Sequence, residues 1–207
     1  MLHGGESYII VAVSDADRRG LIRELQHAYS AELAAGFAYA GHWRSCRNPE
    51  ERARIRQIEE EEHHHRQLVG DILRDLGAKP LPIREAVFFA IGRVLGALCH
   101  VSGRFLPMYG AGRLESRNIV EYERAVVYAL GCGREDLIER LLGMAEVEWE
   151  HEYYFRHRVI GHRMLRLFPL WVVPPAKETI RSKYEDPSVG GGQAPRLSGQ
   201  ARAPVLQ

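Results

Sequence analysis

Ile58-Glu59-Glu60-Glu61-Glu62-His63-His64-His65 is the stretch on which the reading of this chain turns. An acidic run that ends in three histidines is an unusual solvated face when apolar residues recur at helical spacing on both sides of it. Residues three apart lie on one side of a helix, so Glu-x-x-His sets a carboxylate beside an imidazole, which is half of a metal site. Three such pairs overlap here: Glu60/His63, Glu61/His64 and Glu62/His65. Helical phase chooses among them. At 100° per residue, Ile55, Ile58, Val69, Leu73 and Leu76 fall within about 40° of Glu62, with His65 about 60° away. Glu61 sits at the border of that apolar face and His64 points away from it. Glu62 and His65 are the inward pair, and the rest of the run reads as helix surface.

The same pair occurs again. Glu148-Trp149-Glu150-His151 is flanked by Leu141 and Met144 before it and by Phe155 and Val159 after it. These take the places that Ile55, Ile58, Val69 and Leu73 hold around the first pair. Upstream of each copy runs a long helical pattern with one misplaced carboxylate. In the first, Leu21, Leu25, Ala28, Glu32, Gly36, Tyr39 and Trp43 form a single stripe, with Glu32 at its centre. In the second, Glu115 with Tyr122 and Glu121 with Tyr128 both reproduce the seven-residue spacing of Glu32 and Tyr39. Ile119, Tyr122, Val126 and Ala129 line up within about 40° of Glu115, whereas Glu121 lies about 120° round. Glu115 is the choice and Glu121 the fallback. Glu24/His27 also fits Glu-x-x-His, but both residues point off the apolar stripe.

Four helices therefore present Glu32, Glu62 with His65, Glu115, and Glu148 with His151. This is the ligand set known from the di-iron and di-manganese carboxylate bundles. Four carboxylates balance two divalent ions, and oxygen and imidazole ligands suit iron or manganese. Four inward carboxylates without a counter-charge would each cost several kcal/mol to bury. Tyr39 and Tyr122, on the same faces, are candidates for contact with the ligands.

The four long helices are expected over about 15–45, 49–76, 113–130 and 135–167. Ser14-Asp15, Pro49 and Glu135-Asp136 mark helix starts, and Gly77 with Pro80 marks a stop. Residues 78–112 are strongly apolar and read as one or two short helices in a crossover, suited to an up, up, down, down bundle. The division is a lead over 1–14, a helical domain over 15–170, and an extended tail over 171–207 that is disordered from about 186. The net charge of +1 gives nucleic acid no compositional support. Cys46, Cys99 and Cys132 form no Cys-x-x-Cys, which points to a reducing, cytoplasmic setting and leaves no ligands for a rubredoxin-like iron centre. No signal peptide and no membrane-spanning run are expected.

Glu32-Leu33-Ala34-Ala35-Gly36-Phe37-Ala38-Tyr39-Ala40-Gly41 resembles the first metal helix of the demethoxyubiquinone hydroxylases, where Glu is followed by Tyr-Ala-Gly at this spacing. Leu114-Glu115-Ser116 with Tyr122 is similar to their third-helix motif. The apolar segment from Leu81 to Leu98 sits where that family has its substrate-lining, membrane-contacting helices. Two positions depart from the pattern: the family's Asp-His-x-Gly is replaced by Gln26-His27-Ala28-Tyr29-Ser30-Ala31, and its histidine before the third-helix tyrosine by Glu121. The resemblance spans about residues 15–165. It implies a ferritin-like four-helix bundle with two iron ions, manganese being the alternative. It also implies a dioxygen-activating monooxygenase of ubiquinone biosynthesis, acting on an apolar quinone, fed by an external reductant and peripheral on the membrane, with a homo-oligomer as a further expectation. A ferritin- or rubrerythrin-like iron oxidase or peroxidase, or a non-enzymatic helical metal-binding module, are the competing readings.

Overall fold

A computed structural model describes residues 14–185, and all regular structure among them is helical. Residues 1–13 of the expected lead over 1–14, and the disorder expected from about 186, lie outside the described residues. Helix α1 spans Asp15–Ser45 and α2 spans Pro49–Asp75. Ser14 caps α1 by accepting from the Asp17 amide at 3.2 Å. Asn48 caps α2 by accepting from the amides of Glu50 and Glu51 at 2.8 and 3.1 Å, with Pro49 in the first turn. Gly77, at φ +68°, ends α2 as expected.

Helix α3 (Pro82–Leu98) is the one helix in the crossover, and α4 runs from Phe105 to Gly131. The expected start of this helix at Arg113 is corrected to Phe105, and Gly110-Ala111-Gly112 lies inside it. Gly112 does not turn the chain. A Cβ there would come within 2.5 Å of the Trp171 ring and 3.0 Å of Phe155, so the residue is small because two aromatic side chains crowd it. A 3-10 turn at Glu135–Leu137 leads into α5 (Ile138–Val159). The expected end near Leu167 is also corrected: Gly161 at φ +80° breaks the chain, and Arg163–Arg166 forms a separate 3-10 turn. From Pro175 onward the chain forms a second unit, and within it α6 (Glu178–Glu185) is helical where an extended tail was expected.

Within the first unit, contacts at the helix ends fix the directions. Arg18 of α1 donates to the carbonyl of Leu76 after α2, and the Ser14 amide to the carbonyl of Gly131 at the end of α4. At the opposite end, Arg104 before α4 pairs with Glu51 of α2 and reaches the carbonyl of Arg158 in α5. The long helices therefore run up, down, down, up, with α3 as the single crossover. The up, up, down, down order is corrected, because such an order needs two long crossovers and the chain contains one.

Helix α3 lies along α1 at backbone contact. A Cβ on Gly92 would stand 2.5 Å from the Ala34 carbonyl oxygen, and one on Gly41 would stand 2.2 Å from that of Gly96. Gly92 and Gly96 are the buried residues of α3. Its large apolar side chains face outward, Ile83 being 83% exposed and Val87, Val94 and Leu98 about half exposed. No helix among the described residues is long and apolar enough to cross a membrane.

Candidate metal centre

Each of α1, α2, α4 and α5 carries its carboxylate on its apolar face, so packing those faces together brings the carboxylates together. Glu32, Glu62, His65, Glu115, Glu148 and His151 are all at most 2% exposed. They form two groups, Glu32, Glu62, His65 and Glu148 in one and Glu62, Glu115, Glu148 and His151 in the other. Within each group the ligating atoms lie within 4.8 Å of one another. Glu62 and Glu148 belong to both. The six residues selected by spacing and phase are thus the six that converge.

Glu121 is elsewhere. It faces His27 at 3.7 Å, and Glu24 pairs with Arg124 at 3.1 Å, so the fallback and the false Glu-x-x-His are partly buried pairs outside the cluster. Glu60 pairs with Arg56 at the surface, and His64 is exposed.

The two tyrosines are crossed. Tyr39 of α1 donates its hydroxyl to Oε1 of Glu115 on α4, and Tyr122 of α4 donates to Oε1 of Glu32 on α1, at 2.5 Å. Asn118 donates to Oε2 of Glu115 at 2.9 Å and is 3.4 Å from Oε2 of Glu148. His65 Nδ1 is 3.0 Å from Oε1 of Glu148. His151 directs Nδ1 toward Glu62 Oε1 at 3.1 Å, out of line for a hydrogen bond, while its Nε2 meets Glu61 Oε2 at 2.7 Å. Glu61 is in turn held by Arg54 at 3.0 Å and Gln57 at 2.8 Å.

Four buried polar atoms at the centre have no hydrogen-bond partner: Oε2 of Glu32, both carboxylate oxygens of Glu62, and Nδ1 of His151. Buried polar atoms are rarely left this way. Burial, followed by neighbouring carboxylates, holds the Glu62 and Glu115 carboxyls well above the ordinary range, and burial raises Glu32. Burial pushes Glu148 up too, but the neighbouring His151 and His65 imidazoles outweigh it and hold it low. Burial pushes both histidines down, and the neighbouring Glu148 carboxylate, with Glu61 bonded to His151, carries them above the usual value. Four carboxylates cannot all ionise in this space without added positive charge. Two divalent cations would supply it, through the oxygen and imidazole donors left unpaired. The buried glutamates and histidines can hold metal ions.

Residues that the spacing analysis passed over matter as well. Glu61, assigned to the surface, holds His151; its place at the border of the apolar face was the available signal. Asn118, three residues after Glu115 and so on its face, was equally visible. Glu152 is fully buried one turn beyond Glu148, but it accepts from Arg156 at 2.9 Å and from the Trp171 indole at 2.8 Å. With its charge already matched, it belongs to the packing around the centre.

Beside Tyr39 lies an apolar cavity of about 450 Å³ bounded by α1, α3 and the first turns of α4, including Ala35, Ala38, Leu95, Leu98, Leu106 and Leu114. His42, Cys99 and Pro107 separate it from a more polar cavity of about 700 Å³ that contains Arg47, His100 and Arg104. Burial drops the His42 pKa to about 4, so it stands there as a neutral ring. No family model matches the chain, and no curated protein or solved structure matches it.

Proposed function

We propose that the chain is a ferritin-like di-iron carboxylate oxidoreductase that activates dioxygen and hydroxylates a quinone or similarly apolar ring, in the manner of the demethoxyubiquinone hydroxylases it resembles. The observation that carries this reading is the apolar cavity against Tyr39, whose hydroxyl bonds the ligand Glu115. An iron oxidase or peroxidase without an organic substrate has no use for an apolar chamber one tyrosine away from its carboxylates.

In this reading Glu32, Glu62, His65, Glu115, Glu148 and His151 would hold two iron ions, Glu62 and Glu148 being common to both groups of ligands. The bound iron would supply dioxygen activation, which the side chains cannot perform. The chain orients its carboxylates through Tyr39, Tyr122 and Asn118 and excludes bulk water by burying all six ligands. It also shapes a chamber of a size usual for small-molecule sites. One oxygen atom enters a ring C–H bond and the other leaves as water, which takes two electrons and two protons. The sequence contains no Gly-x-Gly-x-x-Gly, so a separate reductant delivers the electrons. The outward apolar side chains of α3 motivate peripheral membrane contact as part of the proposal. Liposome co-sedimentation no greater than that of a soluble control overturns that part.

The test is product analysis. Iron-loaded protein given dioxygen, a reductant and a demethoxyquinone should yield the quinone with one added oxygen, detected by mass spectrometry. Peroxide consumption or iron oxidation with the quinone unchanged overturns the hydroxylase reading in favour of the oxidase.

A further inference from the structure

The two halves of the centre are copies in register, and two of the differences between their surroundings fall directly behind the ligands. Glu61 stands immediately before Glu62 on α2, and the matching place before Glu148 on α5 is Val147. The Glu61 carboxylate bonds the outer nitrogen of His151 at 2.7 Å and is braced by Arg54 and Gln57. His65 has no such partner. Its Nδ1 turns inward to Glu148, and it lines, with Val147, Gln57 and Glu61, a pocket of about 280 Å³ between α2 and α5. On the other pair of helices, Asn118 ties Glu115, while its counterpart Ala35 leaves Oε2 of Glu32 without a partner.

Resting on the metal-centre reading, we propose that the two ion positions are unequal. The position at Glu115 and His151 is the tight one, and the position at Glu32 and His65 is exchangeable, filled and emptied through the pocket beside Val147. A carboxylate on the outer nitrogen of a ligating histidine fixes the ring and makes its inner nitrogen a better donor, and removing such a partner costs about 10–100-fold in affinity. Glu61 and Asn118 both serve one position, and neither has an equivalent at the other. Among the pockets described, His65 is the ligating histidine that lines one, and Glu61 on the wall of that pocket caps His151.

Anaerobic titration of the metal-free, full-length chain with cobalt(II), followed by calorimetry and visible absorption, tests this. Wild type should bind two ions in steps at least about 10-fold apart, and a chelator should strip one ion ahead of the other. Glu61→Gln should weaken the tight step by about 10–100-fold and leave the weak step in place. Val147→Glu, which sets a carboxylate beside the pocket at His65, should tighten the weak step and slow loss of the faster ion. Two indistinguishable steps in wild type overturn the proposal, as does Glu61→Gln weakening the weak step or both steps alike. If Glu61→Gln loses helicity by circular dichroism, Val147→Glu decides alone, and unchanged loss of the faster ion overturns it. A wild type that binds no cobalt refutes the metal centre itself, a result distinct from binding two equal ions.

Discussion

The half of the centre around His151 and the half around His65 share ligand types, helical register and crossed tyrosines. They differ in what stands behind the ligands: Glu61 and Asn118 on one side, Val147 and Ala35 on the other. A ligand set can thus be duplicated without duplicating its rigidity. The small residues also do different things. Val147 leaves a pocket beside His65, and Ala35 helps to open the apolar cavity beside Tyr39.

Breaking what the halves share should have the largest effect. Glu148→Ala should reduce anaerobic iron uptake from about two ions per chain to none, whereas Glu32→Ala should leave one. Equal retention by both variants would show that Glu148 does not bridge. Next comes the wall of the cavity. Gly96→Val should force α3 off α1 and cost about 1–3 kcal/mol, read by urea unfolding, because the Cβ would stand 2.6 Å from the Phe37 carbonyl oxygen.

The pH dependence of the metal-free chain is the third measurement. Glu32, Glu62, Glu115, His65 and His151 all have folded pKa values above their ordinary ones. Such groups bind more protons folded than unfolded, so their contribution is full below the unfolded pKa and is lost as pH rises through the folded one. Glu148 and Glu61, the latter held at about 2, act oppositely but only at pH below 4.5. The thermal midpoint of the metal-free chain should therefore fall as pH rises from 5 to 8. Saturating metal, which replaces those protons, should flatten the profile.

Smaller effects sharpen the contrast between the halves. Asn118→Ala should cost about 1–3 kcal/mol, since it strips hydrogen bonds from buried carboxylates. Ala35→Asn, which gives Glu32 a neighbour of the same kind, should shrink the apolar cavity and weaken uptake of an apolar dye. Tyr39→Phe and Tyr122→Phe should each cost less, about 1 kcal/mol, and to equal extents, with both ions retained. Unequal losses would show that the crossed tyrosines are not equivalent.

The ligands were legible because each depends on a local rule. A carboxylate on an apolar stripe is conspicuous, and phase separates Glu62 from Glu61 and Glu115 from Glu121. The helix starts at Asp15 and Pro49 were equally plain, since Ser14 and Asn48 are caps. The start of α4 was hidden because Gly110-Ala111-Gly112 carries the composition of a turn, and only the Trp171 ring and the Phe155 Cβ explain Gly112. The role of Glu61 was hidden for a related reason. Its partner His151 is on another helix ninety residues away, and phase ranks a border residue without saying what it will meet.

The glycine seam between α1 and α3 gives the two sides of the crossover helix separate duties. Attachment rests on backbone against backbone at Gly41, Gly92 and Gly96, with Phe88 against His27 and Phe89 against Phe37 beside that seam. The outermost side chains, Ile83, Val87 and Val94, stand clear of both and can be exchanged for others suited to whatever surface the protein meets, while Leu95 and Leu98 keep the cavity wall. A designer wishing to move this protein between aqueous and greasy surroundings could repaint that outer edge of one helix and leave the metal chemistry alone.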